Sequence, residues 1–224
     1  ALKNSLVGGN VAVGTNALTT NISGTDNVAV GENALEANTV GTDNVAVGKD
    51  ALKANIDGVS NVTVGQNALV ANTSGIQNIA IGESALSTNE SGADNLAVGK
   101  DALKANITGI RNIGIGVNAL LSNTTGAKNT AVGYQTLDAN TTGKFNVAIG
   151  NQSLGSNTTG DQNVAIGFDA LSANTVGNHN VAVGSNALLI HPSLLLIQLA
   201  TSTLRSAQQP SSLIQLVKIM LRLV

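Results

Sequence analysis

The sequence predicts an all-β chain wound as a parallel β-solenoid, a β-roll of 17-residue coils. Three observations lead there. The first is composition: among 224 residues there are two Phe, one Tyr and no Trp, and charged residues make up 11%. Aromatic side chains are the large anchors of a conventional core. Their scarcity argues against a single-core globule, while 42% apolar residues and a net charge of −2 argue against disorder. The second is a repeat, N-V-A-V-G-x-N-A-L-x-x-N-T-x-G-x-x, recurring every 17 residues without insertion. The third is that five of its positions are identical in every copy, so each copy occupies the same environment.

Ten complete units run from residue 10 to 179, and a partial eleventh reaches residue 188. Position one of the unit is always Asn: Asn10, Asn27, Asn44, Asn61, Asn78, Asn95, Asn112, Asn129, Asn146, Asn163 and Asn180. An invariant amide in a stack of coils predicts a ladder, each side chain bonding the next coil. Position twelve, Asn21 to Asn174, predicts a second ladder on the same ground.

Positions two to four follow. Two and four are nearly always β-branched, as in Val11/Val13, Ile79/Ile81 and Val147/Ile149, and three is small. That alternation predicts a short strand with its β-branched face buried. The small residue then faces either a closely packed second surface or solvent. Position five turns the chain on glycine: Gly14, Gly31, Gly48, Gly65, Gly82, Gly99, Gly116, Gly133, Gly150, Gly167 and Gly184.

Position seven carries helix-capping types such as Asn16, Asn33, Asp50 and Ser84, and Ala-Leu-x-x-Asn follows. This segment reads either as one helical turn per coil or as a tight second strand. Its closing Asn tolerates the left-handed conformation. Asn-Thr-x-Gly is then a turn. Charges at positions six and ten fit in-register stacking, with Glu32–Lys49 and Glu36–Lys53 one coil apart. A 17-residue unit cannot bury its own apolar face, so coils must stack, and so thin a core favours several chains sharing it.

The segment NVAVGxNALxxNTxG, with its Val28-Ala29-Val30-Gly31 core, resembles the head repeats of trimeric autotransporter adhesins. It is similar also to the longer repeats of phage and bacterial tail-fibre-like proteins. The resemblance spans residues 10–188. It implies a left-handed roll, a homotrimer, and a structural fibre or adhesin segment that presents loops to a host or surface receptor. The place it implies is extracellular, on a cell surface or on a virion. The alternative function is a monomeric carbohydrate-binding solenoid, for which Tyr134, Phe145 and Phe168 are the available stacking residues.

The flanks depart from the repeat. Residues 1–9 read as a partial unit, one residue short, as though cut from a longer array. Residues 189–224 lack Gly, Asn, Asp and Glu and hold both prolines, so they are expected not to continue the solenoid. One reading is an amphipathic helix with Ser211, Gln215, Lys218 and Arg222 on a stripe, serving as anchor or cap. The favoured reading is a frameshift product, because Leu-Ile-Gln-Leu recurs 17 residues apart at 196–199 and 213–216.

No catalytic, cofactor or metal site is expected. There is no Cys, and His179 and His191 lack any triad or ligand pattern. Asp26, Asp43 and Asp94 share a column without a calcium-roll motif. The sequons at Asn21, Asn61, Asn72, Asn106 and Asn123 mostly follow from the repeat's own Asn-Thr turn. Thr lies in turns rather than in the strand columns that an ice-binding ladder needs. No apolar run is long enough to span a membrane, and the charge gives no footprint for nucleic acid.

Overall fold

A computed structural model describes residues 8–188. The readings of residues 1–7 and 189–224, including the frameshift, the anchor and the cap, lie outside the described residues. Eleven three-residue strands follow one another: β1 (Val11–Val13), β2 (Val28–Val30), β3 (Val45–Val47), β4 (Val62–Val64), β5 (Ile79–Ile81), β6 (Leu96–Val98), β7 (Ile113–Ile115), β8 (Thr130–Val132), β9 (Val147–Ile149), β10 (Val164–Ile166) and β11 (Val181–Val183). They form one parallel sheet in sequence order. Each strand pairs with the next in perfect register, Val28 with Val45 and Ala29 with Ala46. The chain is therefore the parallel solenoid that its 17-residue period predicts.

The β-branched face is not the buried one that the alternation predicts, while the closely packed surface expected beside position three is present. The small residue at position three is the buried one: Ala29, Ala46, Ala80 and Ala148 have no accessible surface. The β-branched residues at positions two and four point outward and stay partly or largely exposed. The reason is the width of the coil. Its interior is filled by the Leu of position nine, the Ala of position eight and the Ala of position three. At Gly114, which replaces that Ala, even a Cβ would sit 3.3 Å from the Leu103 Cγ. A larger apolar side chain is crowded there. Thr63 fits by donating its hydroxyl to the Val45 carbonyl at 3.1 Å.

No helix forms between the glycines, and no second regular strand does either. The ladder nevertheless continues around the coil. The Leu35 N–H donates to the Ala51 carbonyl at 3.1 Å, and the Asp50 N–H to the Glu32 carbonyl at 2.9 Å. Tight turns interleave with these bonds, as in Asn38 N–H to the Leu35 carbonyl at 3.2 Å. The turns need left-handed residues at positions seven, nine and seventeen: Asn33 at φ 56°, Leu35 at 50° and Asp43 at 58°. The expected left-handed Asn of position twelve is not among them. Asn and Asp recur at position seven because they tolerate this conformation, not because they cap a helix. Leu does not tolerate it readily. It is held there by burial, since Leu35 to Leu154 are wholly enclosed.

Candidate functional site

The two amide columns are the internal frame. In the first, the Asn44 side chain donates to the Asn27 Oδ1 at 3.1 Å and to the carbonyl of Gly58 at 2.8 Å. The Asn44 backbone N–H donates to the same Asn27 Oδ1 at 3.0 Å. In the second column, the Asn55 amide donates to the Asn38 Oδ1 at 2.8 Å and to Gly58 at 3.1 Å. One glycine carbonyl per coil thus receives both amides. Buried amides cost free energy unless bonded, and here nearly every one is. The exception among the described residues is the Asn174 Oδ1, where the second ladder ends.

Two glycine columns exist for this packing. A Cβ on Gly58 would lie 2.3 Å from its own coil's Asn55 Oδ1 and 2.6 Å from the next coil's Gly75 carbonyl. Gly48, at φ 137°, has both a forbidding conformation and the Gly65 carbonyl 2.5 Å from the same point. The first-column asparagines and turn glycines singled out from the sequence are therefore the frame of the coil rather than a reactive site.

Asn21, Asn61, Asn72, Asn106 and Asn123 are buried in these ladders, whereas Asn151, which heads a further Asn-x-Ser sequon, is exposed. The folded chain does not offer those five to a modifying enzyme. The predicted ion pairs form, with Lys49 to Glu32 at 3.1 Å and Lys53 to Glu36 at 3.5 Å. Asp94 meets Arg111 at 3.4 Å, and Asp26 and Asp43 are exposed at their left-handed positions. His179 is exposed, and His191 lies outside the described residues. Among the described residues no three His, Cys, Asp or Glu side chains gather as metal ligands. No helix there is long and apolar enough to cross a membrane.

What the coil leaves outside is the candidate functional surface. Two outward residues on each of eleven strands make two parallel columns, and every one is Val, Ile or Leu except Thr130. Ile79, Ile81, Ile113 and Ile149 are each between 36% and 40% exposed. Sheets made only of parallel strands are ordinarily covered on both faces. Among the described residues this one is covered on the inner face alone. The scarce aromatics also gather in one region: Tyr134, Phe145 and Phe168 are each about half exposed and lie within three successive coils. Phe145 carries the Lys128 ammonium 4.8 Å above its ring. No protein-family description, curated protein or solved structure matches the chain.

Proposed function

We propose that the chain is a segment of a homotrimeric attachment fibre, in which three coils pack through their outward strand faces and turn their variable loops to the surroundings. The bare Val/Ile columns of the parallel sheet carry this reading. A strand face left to water normally alternates toward polar residues, and this one stays aliphatic along its length. Apolar patches of this continuity mark association surfaces. The resemblance of the repeat to trimeric adhesin heads and tail fibres supplies the threefold, left-handed winding and the extracellular or virion setting.

The absence of native cysteine makes the test clean. Val64→Cys places a thiol on the strand face, and Val40→Cys places one on an exposed turn. In the folded 224-residue chain, maleimide should label residue 40 rapidly and residue 64 at least tenfold more slowly. Equal labelling of the two overturns the proposal, because both side chains are similarly exposed in a single copy.

A further inference from the structure

We infer that the eighth to tenth coils hold a binding site for a neutral oligosaccharide, built where the position-ten column is broken by Gly155. The inference rests on the reading of the chain as an attachment element, and it names the chemistry that element would hold.

Position ten carries Glu36, Lys53, Val70, Lys104 and Leu121 in other coils, and Asp138 and Ser172 on either side of Gly155. Gly155 has no side chain there, and an open depression of about 380 Å³ lies beside it. Its walls are Asp138, Gln152, Ser156, Asp169 and Ser172. They offer two carboxylates, an amide and two hydroxyls, a set of acceptors and donors suited to several hydroxyl groups at once. Asp169 forms no ion pair among the described residues, unlike Asp50 and Asp101, its position-seven counterparts lower in the stack, and Asp138, at position ten, forms none there either. The Asp138 carboxyl is half-buried, and burial raises its titration above the ordinary carboxylate range.

Two exposed aromatic residues stand at position six on the first and third of these coils, one residue before the position-seven column that supplies Gln152 and Asp169 to the wall. Phe168 immediately precedes Asp169 in the chain, Asn151 precedes Gln152, and Tyr134 precedes Gln135. The Gln152 amide donates to the Gln135 Oε1 at 3.4 Å, joining the wall to the Tyr134 coil. Tyr134 and Phe168 occupy the same position two coils apart, about 10 Å by the ladder spacing. That is the scale of two linked pyranose rings. The C–H face of a pyranose packs on an aromatic face, and its hydroxyls need polar partners beside it. Both kinds of group occur here on the same three coils. The two carboxylates select against sialylated or sulfated chains by like-charge repulsion.

The test is a glycan array, carrying neutral and sialylated oligosaccharides, probed with the full chain and three variants. Gly155→Leu fills the depression, and Leu121 at the same position shows that the coil accepts that side chain. Tyr134→Ala removes a stacking face. Phe145→Ala removes the aromatic ring on the other flank of the strand and serves as control. Binding to neutral oligosaccharides is expected, reduced at least tenfold by Gly155→Leu and by Tyr134→Ala and unchanged by Phe145→Ala. No binding to neutral glycans, binding to sialylated chains alone, or binding indifferent to Gly155→Leu overturns the site. Light scattering on the same preparation separates the two readings. A trimer silent on the array removes the glycan site and leaves the fibre. A monomer whose binding responds to both variants removes the trimer and leaves the site.

Discussion

At the residue scale, two kinds of polar group differ sharply in what they contribute. The Asn89 amide donates to the Asn72 Oδ1 at 3.0 Å and accepts from Asn106 at 2.7 Å, all three fully buried. Asn89→Ala strands the Asn72 oxygen, and a buried unsatisfied group costs about 1–3 kcal/mol. Glu32→Gln removes a half-exposed ion pair, worth at most about 1 kcal/mol. Urea unfolding should rank Asn89→Ala well below Glu32→Gln in midpoint; the reverse order would show that the ladder does not hold the coil. Carboxylates divide in a second way. The Asn33 amide donates to the Asp50 Oδ1 at 2.9 Å and, with Lys53 adding to the effect, holds its carboxyl below the usual range. That stability is present above the unfolded carboxyl's titration and is lost as pH falls through the lowered folded value. Burial of Asp138 acts oppositely. Its protonated form is the favoured one in the fold, so stability falls as pH rises through the raised value. Asp50→Asn should therefore lower the melting temperature at pH 7 and Asp138→Asn should raise it. Both differences should shrink at about pH 3, below the ordinary Asp titration. Differences that persist unchanged in acid would contradict both assignments.

At the element scale, the coil was legible in outline and misread in orientation. Period, parallel stacking, turn glycines and asparagine ladders all follow from identity between copies, because a position that never varies has one environment. The strand face did not follow from hydrophobicity. Val and Ile look like core residues, and Ala looks indifferent. The informative signal was size: position three admits only Ala, Thr63 and Gly114, which marks a space too narrow for more. The segment after the glycine was ambiguous for a related reason. Its turns need left-handed Leu at position nine, a conformation that local propensity disfavours and only the enclosing stack enforces. The face assignment is directly testable. Ala46→Val should destabilise by about 1–3 kcal/mol through overpacking. Val45→Thr, on the outward face of the same strand, should leave the stability of an isolated chain within about 0.5 kcal/mol. Thermal unfolding at high dilution compares them, and a larger loss for Val45→Thr would restore the opposite orientation.

At the scale of the whole molecule, each described coil contacts its neighbours in sequence, so stability accumulates along the stack. Removing residues 78–94 deletes one complete unit and keeps every column in phase. That deletion should fold with unchanged sheet signal by circular dichroism and a modestly lower melting temperature. Removing residues 78–93 instead shifts all later columns by one residue and should abolish cooperative unfolding. The same columns leave one aliphatic face bare along the described sheet, and we propose that two further copies cover it. Sedimentation equilibrium of the full chain, beside the double variant Ile79→Lys and Ile113→Lys, tests that most directly. Both substituted side chains lie on the outward face, where a lone coil tolerates lysine. Three times the mass of one chain is expected for the native protein, and a folded monomer for the variant. A native chain that sediments as a monomer at micromolar concentration, or a variant that stays trimeric, would contradict it.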